Sequence, residues 1–355
     1  MLAYNTGKEF GKKNRKFINV YASGKSYEYW QQQIDWINEY DPNMEAMWVG
    51  CWNCEGCRQK RMKEWAIRCM AEASLWEHNY FLTLTYNDSN LTINEEITSP
   101  ETGCTYVDNG TWGATLVKED ITKFNKDLRR YFEYHYDHKG IRFYNCGEYG
   151  GLYGRPHYHG IYFNLPLKAE WLKPHKLTPE GWLYKCDLIE KIWGKGFITI
   201  AEVNLATCNY VAGYVLKKLR NDWGKEYYYQ EGRIPEFNNM SRMPGIGREY
   251  YEQHKHEIYE NDEIIINGCN MGQHSLKPPK YYDDIYDIEY PTTMAAVKAT
   301  RQKLARNNME LEDKASTLNR AERYELKRNN LNDRTKILKR RANVEYDDRK
   351  CKLLQ

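Results

Sequence analysis

A short segment of the chain places two histidines on either side of one tyrosine. The sequence CGEYGGLYGRPHYHGIYF spans residues 146–163 and contains His157 and His159. Alternate side chains of a β-strand point to one face, and a rise of about 3.3 Å per residue puts these two about 7 Å apart. Two imidazoles at that spacing can bind one divalent cation, while Tyr158 points to the opposite face.

A carboxylate can complete this set if the neighbouring strand folds back as a hairpin. Residues 141–148 and 156–164 are both typical of strands, and the glycine-rich turn between them favours an antiparallel connection. Glu148 would then lie beside the histidines, and the three ligands would leave positions open for a phosphate oxygen. Arg155 in the turn could also contact phosphate. The alternative is a chance pair of half-buried histidines.

A second segment, NYVAGYVLKKLR at residues 209–220, carries two tyrosines four residues apart. On the helix predicted over 206–219, Tyr210 and Tyr214 share a face. A phenol has a pKa of about 10 and needs activation, which nearby ammonium groups and a metal-bound phosphate provide. In-line attack on phosphorus would leave a 5′-phosphotyrosine, and two tyrosines would permit two successive cuts. The candidate ammonium groups are Lys217 and Lys218. Alternatively, this helix buries its tyrosines and exposes both lysines at its C-terminal end.

The elements that must position these residues alternate unevenly between helix and strand. Hydrophobic spacing predicts helices and β-branched or aromatic runs predict strands. We expect helices at 59–76, 119–135 and 206–219, and strands at 80–86, 141–148, 156–164 and 196–203. The strand at 80–86 is expected to be buried on both faces. This order favours an α+β fold with a mainly antiparallel sheet.

The remaining chain divides by composition. Residues 1–50 are predicted to be a peripheral, irregular segment and 51–290 one domain, in which 221–290 are loops with short strands such as 263–266. Residues 291–355 lack Gly and Pro after 294 and predict a long charged helical tail. From 298 to 350 there are 16 Lys and Arg against 9 Asp and Glu. This tail could bind DNA, a host helicase or another copy of the chain, or be a solvated helix.

Composition also bounds the class of protein. Aromatic residues make up 14% of the chain, including 31 tyrosines, and can either stack on unpaired bases or fill the core. The chain has no apolar run of the roughly 20 residues that cross a membrane and no signal pattern, so we expect a soluble intracellular protein. The chain also lacks a phosphate-binding loop of the G-x₄-GK[ST] type, so any unwinding must come from elsewhere.

The cysteines raise a separate possibility. Cys51, Cys54 and Cys57 form C-x₂-C-x₂-C, the spacing of zinc ligands, although reduced structural thiols are the alternative. Cys69 would lie about 18 Å along the helix from Cys57 and could not complete that site. A basic stretch that begins at Arg58 could follow DNA phosphates.

Three motifs together resemble a known family. FLTLTY (81–86), GRPHYHG (154–160) and YVAGYVLKK (210–218) occur in the order found in HUH endonucleases, and the chain resembles the replication initiators of Microviridae, near the gokushovirus branch. CEGCR (54–58), GEYG (147–150) and SRMPGIGR (241–248) extend the resemblance over about 51–282. Related proteins can carry a lysine just before the second tyrosine, where this chain has Gly213, so Lys217 is the better-matched lysine and Lys218 the weaker one.

The resemblance implies the HUH fold, with a sheet of about five antiparallel strands flanked by helices. It implies Mg²⁺ or Mn²⁺ held by His157, His159 and Glu148, nucleophilic Tyr210 and Tyr214, and DNA contacts from Thr83 and Thr85. The implied activity is nicking of single-stranded DNA at an origin hairpin, strand transfer and circle closure, in the cytoplasm of an infected bacterium with host helicase and polymerase. Two alternatives stay open: a non-catalytic single-stranded-DNA-binding protein, and a metal nuclease that uses water.

Overall fold

The structure is a computed structural model that describes most of the chain in separate segments. They are residues 2–5, 15–18, 27–40, 46–48, 50, 55–91, 96–98, 105–107, 114–150, 154–178, 181–217, 228, 233–268, 272–318, 322–323, 326–327 and 329–330. The described residues form two compact units. One contains residues up to Lys60 together with those from Thr300 onward, and the other contains Arg61–Ala299.

The first unit is more regular than the sequence indicated. It holds a three-stranded antiparallel sheet in the order β2-β1-β3 and one helix. The elements are β1 (Leu2–Asn5), β2 (Arg15–Ile18), α1 (Tyr27–Tyr40) and β3 (Ala46–Trp48).

The second unit is built on a seven-stranded antiparallel sheet in the order β12-β7-β8-β4-β11-β10-β9. The elements from there on are α2 (Glu55–Ala73), β4 (Asn79–Tyr86), β5 (Glu96–Thr98), β6 (Thr105–Val107), α3 (Lys118–Tyr136), β7 (Arg142–Tyr149), β8 (Pro156–Phe163), β9 (Lys173–Thr178), β10 (Gly181–Lys185), α4 (Asp187–Trp193), β11 (Gly196–Glu202), α5 (Leu205–Lys217), β12 (Phe237–Met240), α6 (Arg248–Asn261), β13 (Ile264–Gly268), β14 (Gly272–Leu276), α7 (Lys280–Glu289) and α8 (Pro291–Ala315). The predicted α+β class is confirmed. The count of five strands is wrong, because the β9–β10 hairpin extends one edge of the sheet.

Helices cover both faces of this sheet. Residues of α2, α5, α6 and α7 share one buried cluster with one set of strand side chains, and residues of α3 and α4 share a second cluster with the alternate set. Strand β4 shows the alternation. Leu82, Leu84 and Tyr86 are fully buried, while Phe81, Thr83 and Thr85 on the other face are half-buried. The expectation that this strand is buried on both faces is therefore wrong.

The segment predicted as loops at 221–290 contains two helices, α6 and α7. Their core-facing residues are largely tyrosines, such as Tyr251, Tyr259, Tyr282 and Tyr286. The rings of Tyr259 and Tyr286 stack with centroids 3.8 Å apart. The loop prediction is wrong because tyrosines are less apolar than the aliphatic residues that usually mark a helical core face.

A buried ion pair attaches the helical layer to the sheet. Arg142 Nε on β7 donates to Glu72 Oε1 on α2 at 2.5 Å, and Arg142 Nη2 donates to the Pro244 carbonyl at 2.7 Å. Glu72 Oε2 accepts from the Gly247 amide at 2.7 Å. Both charged side chains are nearly excluded from solvent. The pair thus fixes α2 and the chain before α6 against the sheet that carries the predicted site.

Helix α8 is exposed along most of its length, with Met294 as its buried residue. No helix in the described segments is both long and apolar enough to cross a membrane. The tail beyond residue 330 lies outside the described residues.

Candidate active site

Glu148, His157 and His159 converge on one face of the central sheet. In the antiparallel β7–β8 pair Glu148 lies directly opposite His157, and His159 follows two residues later. Glu148 Oε1 is 2.7 Å from His157 Nε2 and 2.9 Å from His159 Nε2. One ligand atom from each residue lies within 4.8 Å of the others, and the described part of the chain contains no second group of this kind. The predicted hairpin is confirmed.

The turn between the two strands orients the first histidine. The Arg155 carbonyl accepts the Gly150 amide at 2.9 Å and lies 3.0 Å from His157 Nδ1. A carbonyl only accepts, so His157 Nδ1 carries a proton and neutral His157 presents its Nε2 lone pair to Glu148. An imidazole lone pair and a carboxylate oxygen 2.7 Å apart require a cation between them, either a proton or a metal ion.

A threonine orients the second histidine. The Oγ1 of Thr83 on β4 lies 2.9 Å from His159 Nδ1, so His159 also directs its Nε2 at Glu148. Partners of this kind fix the tautomer and ring orientation of metal-binding histidines. Glu148 and His159 are buried. A buried carboxylate with two imidazole nitrogens in open, three-ligand geometry fits a divalent cation.

The ring of Tyr210 lies beside this triad. Its centroid is 5.1 Å from that of His159 at an interplanar angle of 77°, and 6.0 Å from Phe81. Phe81 in turn stacks on His159 with centroids 5.6 Å apart and planes 10° apart. Helix α5 packs on β7 and β8, with Val211 and Ala212 buried in the core. Tyr210 is 50% exposed, so a phenol is held next to the triad and open to solvent.

Comparison with known proteins identifies the family. The family model for replication-associated proteins of the ORF2 type matches residues 79–219, which include the triad and Tyr210. The chain is 36% identical over 265 residues to the replication-associated protein ORF2 of Spiroplasma virus 4, covering 74% of this chain and 75% of that one. The chain belongs to this replication-associated protein family.

Two further relatives come from small phages as well. The replication-associated protein VP4 of Bdellovibrio phage phiMH2K is 27% identical over 242 residues, covering 68% of each chain. The replication-associated protein ORF4 of Chlamydia phage 1 is 28% identical over 242 residues, covering 66% of this chain and 52% of that one. No solved structure matches the chain. The resemblance to Microviridae replication proteins is thus confirmed.

The second half of the tyrosine motif in this replication-associated protein is described only as backbone. Tyr214 lies in α5 one helical turn beyond Tyr210, and Lys217 ends the helix. The side chains of Tyr214 and Lys217, and the whole of Lys218, lie outside the described residues. Their predicted roles stay predictions.

The residues predicted to contact DNA occupy different places. Arg155 Nη1 donates to the Tyr86 carbonyl at 2.8 Å, and its Nη2 pairs with Asp88 at the end of β4. Thr85 is directly opposite His157 in the β4–β8 pair, so its side chain lies on the triad's face. Arg58 is half-buried in α2. Sequence reasoning missed that Thr83 orients His159, because only the β4–β8 register brings these two residues together.

The proposed zinc ligands are only partly described. Cys51 and Cys54 lie outside the described residues, and Cys57 is half-buried near the start of α2. Cys69 lies three helical turns further along α2 and is fully buried. Burial raises the pKa of the Cys69 thiol, which disfavours the thiolate that binds metals.

Tyr158, between the two histidines, anchors the strand from the opposite face as predicted. Its hydroxyl lies 2.9 Å from that of Tyr86, accepts from the Val117 amide at 2.8 Å and contacts the Val117 carbonyl at 2.8 Å. The Tyr86 hydroxyl donates to Asp120 Oδ2 at 2.7 Å. Burial raises the pKa of both phenols. This network attaches β8 and β4 to α3 and limits displacement of the histidines.

Proposed function

We propose that this protein initiates rolling-circle replication of a small single-stranded-DNA phage. It would nick one DNA strand at the origin through a tyrosine and retain the 5′ end as a phosphotyrosine. The observation that carries the proposal is the position of the Tyr210 ring, 5.1 Å from the ring of His159 in the Glu148–His157–His159 triad. A nucleophile beside a phosphate-binding metal site suits phosphoryl transfer better than DNA binding alone.

The reaction exchanges one phosphate ester for another. The Tyr210 phenol oxygen attacks the scissile phosphorus in line while the bond from phosphorus to the 3′ oxygen breaks. The phenol gives up its proton, and the released 3′ oxygen takes one up. The bond energy stays in the phosphotyrosine, so a later 3′ hydroxyl can reverse the step and seal a circle. A divalent cation held by the triad would supply Lewis-acid polarisation of the scissile phosphate.

The chain's own residues prepare this step. Thr83 and the Arg155 carbonyl hold the two imidazoles so that both Nε2 atoms face Glu148. Burial of Glu148 and His159 keeps bulk water from that side, which strengthens electrostatic interactions with the phosphate. The exposed phenol of Tyr210 leaves room for DNA to approach.

The rest of the assignment follows the family pattern. Tyr214, one turn further along α5, would make the second cut, with Lys217 and Lys218 stabilising the phenolate or the phosphate. The cation would be Mg²⁺ or Mn²⁺, which suit a site with open positions. The DNA partner would be an origin hairpin or stem-loop. Host helicase and polymerase would act with the protein in the cytoplasm of the infected cell.

The test is a covalent adduct that survives denaturation. The protein is incubated with origin-bearing single-stranded phage DNA, labelled on the 3′ side of the cut, in Mn²⁺ and then in Mg²⁺. A denaturing gel should show a shifted protein–DNA band. Tyr210→Phe combined with Tyr214→Phe should abolish it, and so should His157→Ala combined with His159→Ala. Tyr134→Phe, on an exposed tyrosine of α3, is the matched control and should retain it.

Each alternative has its own outcome. A non-catalytic single-stranded-DNA-binding protein would retard the DNA on a native gel but give neither cleavage nor adduct in any metal. A nuclease that uses water would cut without an adduct and would tolerate both tyrosine substitutions. Either result would rule out a tyrosine nucleophile.

A further inference from the structure

An exposed phenylalanine lies in the same cross-strand row as the triad. Phe197 on β11 pairs with Thr85 on β4, Thr85 pairs with His157 on β8, and His157 pairs with Glu148 on β7. Directly paired residues of an antiparallel sheet project from one face, so these four side chains share the face that carries the triad. Strands lie about 4.8 Å apart, which places Phe197 about 10 Å from His157.

The exposure of Phe197 is not shared by its strand neighbours. Phe197 is 55% exposed, whereas Ile198 and Ile200, which point to the opposite face, are 1% and 0% exposed. A single exposed apolar residue is common in proteins. An aromatic ring two strands from a metal-binding triad, on the same face, is a more specific arrangement, because it offers a flat surface within reach of a strand bound there.

Lysines continue the face beyond Phe197. Tyr184 of β10 pairs with Ile200 and belongs with the buried Cys186 to the opposite face, so Lys185 between them projects on the face of Phe197. Lys173 on β9 is directly opposite Lys185 and forms an ion pair with Asp187.

One further lysine lies on the same face. Lys176 on β9 is exposed and pairs with Leu183, which is two residues before Lys185 and so shares its face. In the described part of the chain Lys176 and Lys185 form no ion pair. Two ammonium groups and an aromatic ring therefore follow one another outward from the triad.

We propose that this β9–β11 track, made of Phe197, Lys185 and Lys176, binds the single-stranded DNA next to the cut site. One unpaired base stacks on Phe197, and Lys185 and Lys176 contact the phosphates that follow. The combination of an aromatic surface with lysines is the one that single-stranded-DNA-binding proteins use, and it requires an unpaired base because bases inside a duplex have no free face. The inference rests on the proposed function, which places a DNA strand at the triad.

The experiment separates base contacts from phosphate contacts. Full-length protein is titrated in EDTA with a fluorescent 12-mer of thymidylate and with a 12-mer of the same length in which every base is absent. Wild type should bind the thymidylate oligomer about tenfold more tightly, in the range expected for one stacked base. Phe197→Leu should remove this preference and bind both oligomers as wild type binds the abasic one. Phe197→Tyr, which keeps a ring, should restore the preference.

The lysines and the control give opposite patterns. Lys185→Gln combined with Lys176→Gln should weaken binding to both oligomers alike and reduce the slope of log affinity against log salt by about 1.4, since each phosphate contact contributes about 0.7. Tyr134→Leu removes an aromatic that is 82% exposed on α3, which packs on the other face of the sheet, and should leave both affinities unchanged.

Two results would overturn the track. One is a Phe197→Leu protein that unfolds at the wild-type temperature and still prefers the thymidylate oligomer as wild type does. The other is a Tyr134→Leu protein that loses the preference to the same extent. Adduct formation in Mn²⁺ is scored separately on wild type. Its failure would refute the nickase, whereas the oligomer comparison, made without metal, would still decide the role of Phe197.

Discussion

The hydroxyl of Thr83 is predicted to set the metal affinity of the triad without touching the metal. Thr83→Val replaces the hydroxyl by a methyl group of the same shape, and a β-branched residue suits strand β4. The change removes the 2.9 Å hydrogen bond to His159 Nδ1 and leaves that nitrogen without this partner. Thr85→Val is the matched control, because Thr85 lies on the same strand and face, and its hydroxyl forms no hydrogen bond within the described residues.

The size of the effect follows from the surroundings of His159. Leaving a buried donor unsatisfied costs about 1–3 kcal/mol, and loss of such a partner typically weakens metal binding about 10- to 100-fold. The His159 ring is also held by Phe81, stacked at 5.6 Å, and by Tyr210 at 5.1 Å. These rings preserve its orientation, so we expect the lower end of the range. Thr83→Val should weaken Mn²⁺ binding about tenfold, or about 1.4 kcal/mol.

The assay is a Mn²⁺ titration of full-length protein without DNA, followed by the paramagnetic signal of the free ion. Thermal unfolding of each variant checks that the sheet is intact. Thr85→Val should bind Mn²⁺ within about twofold of wild type. The reasoning is refuted if Thr83→Val binds as tightly as wild type, or if Thr85→Val loses as much affinity as Thr83→Val.

Three other predictions concern stability and reactivity. Glu72→Gln leaves Arg142 buried without its counter-charge and should cost about 3–5 kcal/mol in urea unfolding, whereas Asp127→Asn, in an exposed pair, should cost less than about 0.5 kcal/mol; equal losses would contradict this. Burial raises the pKa of the Cys69 thiol, so iodoacetamide at pH 8 should modify Cys69 only after unfolding, as read by peptide mass spectrometry; labelling of the native protein would count against it. Burial also raises the pKa of several phenols, so above about pH 10 the unfolded chain loses protons first and the free energy of unfolding should fall by about 1.4 kcal/mol per pH unit for each phenol. Urea midpoints that stay constant to pH 11 would exclude this effect for the phenols concerned, which include Tyr144, Tyr162 and Tyr282.

The triad could be predicted from sequence because its geometry is local. Glu148, His157 and His159 lie on two adjacent strands joined by one turn, so strand alternation and a hairpin suffice to bring them together. The position of Tyr210 could not be obtained in this way. It depends on how α5 packs on β7 and β8, and that contact is made by core residues distant in sequence. Spacing alone therefore gave two equivalent tyrosines, while the structure places the ring of Tyr210 against His159.

The parts of the fold that were missed have a common cause. Helices α6 and α7 bury tyrosines, and the β9–β10 hairpin is exposed on most of its residues. Neither shows the contrast between apolar and polar positions on which periodicity depends. Thr83 was associated with DNA because it belongs to a strand motif, yet its hydroxyl is used to orient a ligand. That use is visible only when the β4–β8 register is known.

Exposure along the triad row indicates the side from which DNA reaches the site. The side chain of Glu148 is 4% exposed and that of His157 15%, while His159, one pair further along, is 6% exposed. Phe197 at the other end of the row is 55% exposed, and Tyr210 beside the triad is 50% exposed. A phosphate that binds beside Glu148 must therefore enter past His157 and Tyr210. The strand attached to it has its open path across β4 toward β11, because exposure in this row rises only in that direction. The metal ligands are thus set in the closed part of the sheet and the nucleophile at its boundary with solvent, which lets the DNA backbone reach both while the bases remain outside.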